Sequence, residues 1–205
     1  MNDWLEAERL ADQAAELFES GRVAEAEEAI RQAIEIDGDR AEWHHQLGVV
    51  LQISARPAEA ISSFDAAVDL APDEPEFLQS AAAACAAAGD LTAAACRLET
   101  AAKITQHNDM LWAQVIEAHA ACAAHDEAES SFYLAETYLE TSSPLCLIAL
   151  GGSLAARKMW SRAEWCFEEA IRLDGSILEA HRRLADLKAA TGARDEAMRV
   201  YERLV

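Results

Sequence analysis

Residues 41–74 read AEWHHQLGVVLQISARPAEAISSFDAAVDLAPDE, and this stretch of 34 residues is one copy of a pattern that recurs along the chain. Its second half contains Ala60, with the bulky Phe64 four positions later and Ala67 seven positions later. Residues at these spacings lie on one face of a helix. Because the alanines are small, a second helix can approach closely, so the stretch predicts a pair of packed helices.

The same alanine returns at intervals of 34 or 35 residues. The six positions are Ala26, Ala60, Ala94, Ala128, Ala163 and Ala197. The residue seven places further on is again alanine in the first five units and leucine in the sixth: Ala33, Ala67, Ala101, Ala135, Ala170 and Leu204. A fixed period of this length is the signature of a repeat architecture, in which neighbouring units bury each other's apolar faces.

Short turn signals divide each unit into two helical segments. Glycine marks the turn at Gly21, Gly89 and Gly192, and the second unit has ARP at 55–57, with its proline placed to open the following helix. Each unit is therefore predicted to be a helical hairpin.

With these features the chain resembles the tetratricopeptide repeat (TPR) family. The second unit has the family's signature residues at Leu47, Gly48, Ala60, Phe64, Ala67 and Pro72. The fifth unit has them at Leu150, Gly151, Ala163, Phe167 and Ala170. The resemblance implies an all-α fold, a right-handed α-solenoid of six helix-turn-helix (TPR-like) hairpins that forms a single domain over residues 1–205. The predicted units are approximately 7–40, 41–74, 75–108, 109–143, 144–177 and 178–205.

The fourth unit departs from the pattern. It has Ala123 where other units have the turn glycine, and it is one residue longer, ending in TSSP at 141–144. We expect a local change of hairpin angle around residues 139–144.

The charge of the chain limits its partners. It has 17 basic and 37 acidic side chains, a formal net charge of −20, and the excess of acid lies in residues 1–156. Nucleic acids and anionic membranes are repelled by such a surface, so neither is an expected partner. A basic protein segment is favoured instead.

The sequence contains neither a signal peptide nor a membrane span, and its expected location is the cytoplasm. The five cysteines form no CxxC pair, which favours reduced thiols. No nucleophile elbow, phosphate-binding loop or HExxH motif is present, so we predict no enzyme activity, no catalytic residue, no cofactor and no metal site.

The resemblance implies that partners lie in a concave groove lined by the first helix of each unit, at the second, fifth, ninth and twelfth places of the repeat. The predicted partner-binding groove residues are Glu42, His45, Val49, Glu76, Gln79, Ala83, Ala86, Met110, Ala113, Glu117, Ala120, Ile148, Gly152, Ala155, Arg182 and Asp186. The small apolar residues in the middle of this set either accept a bulky apolar or helical segment or are simply good helix formers, and both interpretations stay open.

We predict a non-catalytic scaffold or adaptor that binds a partner protein or peptide, helical or basic, in the concave groove. One alternative is a TPR-type secretion chaperone that shields an apolar segment of an exported protein. Another is the regulatory or targeting arm of an enzyme complex.

The last helix suggests self-association. Its apolar residues, Met198, Tyr201, Leu204 and Val205, precede no further helix in the sequence. Solenoids normally need a polar cap, so we expect a partner, a second copy or a further segment to cover this end.

Overall fold

A computed structural model describes residues 3–202, and over that range it contains twelve α-helices and no strand. The chain forms two compact units, one up to Ile104 and one from Thr105 onward. Consecutive helices pack as antiparallel hairpins within each unit, and the predicted all-α solenoid is confirmed.

The helices of the first unit are α1 (Asp3–Glu19), α2 (Val23–Ile36), α3 (Ala41–Ile53), α4 (Pro57–Leu70), α5 (Pro75–Ala87) and α6 (Leu91–Thr105). Those of the second unit are α7 (Asp109–Ala121), α8 (His125–Leu139), α9 (Pro144–Ala156), α10 (Trp160–Leu173), α11 (Leu178–Ala190) and α12 (Arg194–Glu202). Proline is the first residue of α4, α5 and α9, where its missing N–H removes no helical hydrogen bond.

All six hairpins turn in the same way. In the first, the Gly21 N–H donates to the Phe18 carbonyl at 2.9 Å and the Arg22 N–H donates to the Leu17 carbonyl at 2.9 Å. The same pair of bonds recurs in the other five hairpins, and it is the pattern of a Schellman helix ending. The central turn residue has a positive φ in every case: Gly21, Ala55, Gly89, Ala123, Lys158 and Gly192.

The signature glycines make room for an aromatic ring. A Cβ built on Gly48 would lie 2.6 Å from the ring of Phe64, and one built on Gly151 would lie 2.6 Å from the ring of Phe167. Both rings are buried, at 0% and 1% exposure. The glycines therefore allow the two helices of each hairpin to close around a full phenyl ring.

The core of the second unit contains a fully buried tryptophan. Trp112 donates its indole N–H to the Gln106 carbonyl at 2.8 Å and stacks on Tyr138 with ring centroids 5.5 Å apart. Gln106 and Glu140 adopt left-handed backbone conformations, and each directly follows the last residue of a second helix, α6 or α8. The fourth predicted unit is one residue longer and ends at Ser143, which caps α9. The Ser143 hydroxyl oxygen accepts a hydrogen bond from the Leu145 N–H at 3.2 Å.

Ion pairs connect neighbouring hairpins of each unit. Arg56 pairs with Glu27 at 2.6 Å, and Arg97 pairs with Asp65 at 2.6 Å. In the second unit Lys188 of α11 pairs with Glu164 of α10. These contacts lie near the surface, so each contributes about 1 kcal/mol or less to stability.

The cysteines differ strongly in environment. Cys85, Cys146 and Cys166 are buried, Cys122 is half-buried and Cys96 is exposed. Burial raises the pKa of the Cys146 thiol to about 12 and that of Cys166 to about 11. These two thiols stay protonated at neutral pH.

The described part of α12 leaves Met198 60% exposed and Tyr201 37% exposed. Tyr201 donates its hydroxyl to the Asp186 carboxylate of α11. The other two residues of the predicted uncovered end, Leu204 and Val205, lie outside the described residues. No described helix is long and apolar enough to cross a membrane.

Candidate functional site

In the first unit a cleft opens between α1 and α3, and we call it the first cleft. Its volume is about 210 Å³, and Ile30 of α2 closes its floor. The residues that line it are Ala14, Ala15, Phe18, Glu19, Ile30, His45, Gln46, Val49 and Val50. Most of this wall is aliphatic or aromatic, so the cleft fits an apolar side chain.

His45 stands at the side of the first cleft nearest α5. One ring nitrogen, Nε2, lies 2.8 Å from the Ser80 hydroxyl, and the ring packs against Phe77 and Phe64 at centroid distances of 4.9 and 5.4 Å. Burial lowers the pKa of His45, while the nearby Glu76 carboxylate opposes this shift. The imidazole is thus held neutral and fixed in orientation at neutral pH.

In the second unit an equivalent cleft lies between α9 and α11, and we call it the second cleft. Its volume is also about 210 Å³. Its lining residues are Gly152, Ala155, Trp160, Phe167, Arg183, Asp186, Leu187 and Ala190. Gly152 and Ala155 hold the repeat positions that Ala15 and Phe18 hold in the first cleft, and Phe167 corresponds to Ile30.

Charged groups distinguish the second cleft from the first. The Arg183 guanidinium lies 3.9 Å from where a Cβ on Gly152 would stand, and it donates to Glu179 at 2.7 Å. Arg182 bonds to both Glu179, at 2.6 Å, and Asp186, at 3.2 Å. Hydrogen bonding to Arg182 lowers the pKa of Glu179, and hydrogen bonding to Glu179 raises the pKa of Arg182, so this pair is ionised at neutral pH. The second cleft therefore combines an apolar floor with paired charges.

The two clefts bring together only part of the predicted groove. His45 and Val49 line the first cleft, and Gly152, Ala155 and Asp186 line the second. Other predicted residues lie outside both clefts and are exposed: Glu42, Glu76, Ala83, Ala86, Met110, Glu117 and Arg182.

Three further residues are half-buried, namely Gln79, Ala113 and Ala120. Gln79 folds back on its own helix and donates to the Pro75 carbonyl at 3.2 Å. Ile148 is only 6% exposed, so it presents little surface to any partner.

Sequence reasoning missed Ala15, Phe18 and Arg183. The first two occupy the ninth and twelfth places of the first repeat, so the same frame that gives Gly152 and Ala155 could have found them. Arg183 stands at the sixth place, which the frame does not assign to the groove. It lines the cleft opposite Gly152, where a Cβ would lie 3.9 Å from its guanidinium.

Comparisons with known proteins agree with this architecture. The family model described as tetratricopeptide repeat matches residues 8–40. A search of curated protein sequences found no significant match.

Several solved structures share the fold. A tetratricopeptide repeat protein from Parabacteroides merdae superposes with a TM-score of 0.75 at 17% identity, covering 98% of this chain and 79% of that protein. PilF of Pseudomonas aeruginosa superposes with a TM-score of 0.62 at 16% identity, covering 100% of this chain and 92% of PilF. YrrB, a TPR protein with an unusual peptide-binding site, superposes with a TM-score of 0.64 at 17% identity, covering 83% of this chain and 88% of YrrB.

The hairpin geometry, the recurring turn and the paired clefts define a helical repeat protein. One repeat, residues 8–40, is matched directly by the tetratricopeptide repeat model, and the fold is shared with solved tetratricopeptide repeat proteins. Proteins of this family bind protein or peptide partners, and the fold is typically non-catalytic.

Proposed function

We propose that this chain is a non-catalytic interaction scaffold that binds a partner polypeptide along its first helices. The first cleft carries this proposal, because it is an open apolar cavity of about 210 Å³ with one oriented polar ring at its side. An aliphatic partner side chain buried there would contribute about 1.5–3 kcal/mol to binding. His45 would then set the orientation of the bound segment.

Two of the thiols are unsuited to nucleophilic catalysis. The Cys146 and Cys166 thiols are buried with raised pKa values, which makes them poor nucleophiles.

Panning the full chain against a phage-displayed library of random peptides tests the proposal. Enriched peptides should bind in solution and carry an apolar anchor. Ala15→Arg fills the first cleft from an exposed position and should weaken their binding about tenfold or more. Ala24→Arg is the matched control, because Ala24 is an exposed alanine of α2 outside the cleft.

Circular dichroism should give the same helical signal for both variants. If the enriched peptides bind Ala15→Arg as tightly as the control, the first cleft is not the binding site. If no peptide is enriched, short segments are not the ligand of this groove.

The narrower roles differ in the partner that they require. A secretion chaperone would co-purify with an exported protein, whereas an arm of an enzyme complex would co-purify with a catalytic subunit. Affinity purification from the native host, followed by mass spectrometry, separates these two roles from a scaffold with a mixed clientele. We expect the binding site to be the same in each case, and Ala15→Arg should release the partner.

A further inference from the structure

A third cavity in the second unit lies apart from both clefts. It opens between α8 and α10, which both pack on α9, and its volume is about 350 Å³. Its floor consists of Leu147, Leu150 and Leu154 of α9, each no more than 4% exposed. We call this cavity the second-helix pocket, because its rim belongs to the second helices of two successive hairpins.

Two large aromatic side chains stand exposed at the rim. Trp165 of α10 is 58% exposed and Tyr133 of α8 is 56% exposed. Exposure of a single aromatic residue is common on protein surfaces, but here two of them border one cavity with a leucine floor. Such a wall suits a ligand with an apolar stem and a flat or cationic end.

The charge of the rim is acidic. Glu136 and Glu169 line the pocket together with Arg162. Arg162 is already paired with Glu129, so its charge is offset. Glu169 is paired with the exposed Arg172 at 2.6 Å, whereas Glu136 accepts a hydrogen bond from the Ser142 hydroxyl at 2.7 Å and has no salt bridge within residues 3–202.

Ser142 belongs to the stretch where the repeat period lengthens to 35 residues. It lines the same pocket, and α8 ends just before it in the left-handed residue Glu140. The departure from the repeat pattern and the pocket thus coincide.

We propose that the second-helix pocket binds an arginine side chain from a basic segment of a partner protein. The aliphatic stem of arginine would pack on the leucine floor, and its planar guanidinium would stack on Trp165 and bond to the unpaired Glu136 carboxylate. The pocket shares no residue with the clefts of the proposed groove, so this inference does not depend on partner binding in that groove.

Two peptides that differ in one group test the charge argument. The probe is Ac-Gly-Leu-Arg-Leu-Gly-amide, and its control has citrulline, a neutral isostere, in place of arginine. Titration into the ¹⁵N-labelled full chain should shift the Trp165 indole N–H signal, assigned with Trp165→Phe, in a saturable way. Citrulline should reduce the affinity about tenfold, since a hydrogen bond between charged groups is replaced by a neutral one.

Matched variants locate the site. Glu136→Gln should weaken binding of the arginine peptide about tenfold, while Glu168→Gln, an exposed glutamate of α10 outside the pocket, should change it less than about twofold. Trp165→Ala should weaken binding at unchanged helical signal. The cleft variant Ala15→Arg should leave it unchanged, even if that variant abolishes all peptide binding in the groove.

Four results would overturn the proposal. The citrulline peptide could bind as tightly as the arginine peptide, the two glutamine variants could behave alike, or the Trp165 signal could stay unmoved at saturation of other signals. Equal affinity for a lysine version of the peptide would overturn the assignment to arginine.

Discussion

The absence of a Cβ atom at two glycines lets the helices of their hairpins approach each other closely. Gly48 and Gly151 occupy the same place in their repeats, and each faces a phenylalanine from the second helix of its hairpin. Two units have alanine at this place, Ala14 and Ala82, with the smaller Ile30 and Leu98 at the position 16 residues further on. The other two units do not follow this exchange of volume, since the fourth has Ile116 with Phe132 and the sixth has Ala185 with Tyr201.

Gly48→Ala should lower the free energy of unfolding by about 1–3 kcal/mol, because the added methyl group would overlap the Phe64 ring. Gly38→Ala is the control, since its Cβ would meet only the Ile34 carbonyl, at an ordinary 3.5 Å. Urea unfolding followed by circular dichroism measures both. Equal stability of the two variants would show that Phe64 can move aside at no cost.

His45 makes the first unit sensitive to acid. Its pKa in the folded chain is lowered by burial below the ordinary value of about 6.5. The unfolded chain therefore binds the proton more tightly, so this contribution to stability is present above about pH 6.5 and declines as the pH falls below that value. His45→Gln can keep a hydrogen bond to Ser80 and does not titrate.

We expect wild type to lose more stability than His45→Gln between pH 7.5 and pH 5.5, measured as the shift of the urea midpoint. Both proteins contain the same carboxylates, so their common acid sensitivity cancels in the comparison. Identical shifts would mean that protonation of His45 costs nothing in the folded state.

All six hairpins have the same turn, although the residues that form it differ. Glycine reaches the required positive φ without strain, whereas Ala55, Ala123 and Lys158 adopt it against the steric cost of a Cβ. The sequence indicates the turns at the glycines and at ARP, and Ala123 departs from this pattern. The sequence cannot indicate that Ala123 keeps the same pair of hydrogen bonds, because that outcome depends on how the flanking helices pack.

Exchanging the turn residues should change stability in opposite directions. Gly89→Ala should cost about 1 kcal/mol, because it places a Cβ in the left-handed region. Ala123→Gly should be neutral or stabilising by up to about 1 kcal/mol, since relief of that strain is partly offset by the greater freedom of glycine in the unfolded chain. Thermal unfolding of both variants gives the comparison. A loss of stability in Ala123→Gly larger than that in Gly89→Ala would contradict this explanation.

Across the chain, the repeat pattern predicts the fold more fully than it predicts the binding surfaces. Ala60 and Ala67 recur because backbone contact between helices requires small residues, and such a requirement leaves a period in the sequence. The two clefts follow the period only in part, and other contacts at the binding surfaces do not follow it. The Ser80 bond to His45 joins residues 35 positions apart, and Tyr133 and Trp165 reach the same pocket only because α8 and α10 both pack on α9.

Net charge should make the stability of the chain depend on salt. At −20, repulsion among carboxylates opposes the compact state, whereas the surface ion pairs contribute little. Raising NaCl from about 10 mM to about 300 mM shortens the Debye length and should raise Tm by about 2–4 °C, which corresponds to about 1 kcal/mol. Sucrose at equal osmolarity is the uncharged control. A fall in Tm with NaCl alone would show that the ion pairs outweigh the repulsion.

The uneven burial of the thiols also gives the chain a natural attachment point. Cys96 projects into solvent from α6, while Cys85, Cys146 and Cys166 are enclosed and, in the last two, held protonated. A maleimide fluorophore would therefore couple to the native sequence at Cys96 well before it reaches the buried thiols. With Cys122→Ser to remove the half-buried thiol, a single dye would report on the first unit by anisotropy without any engineered cysteine.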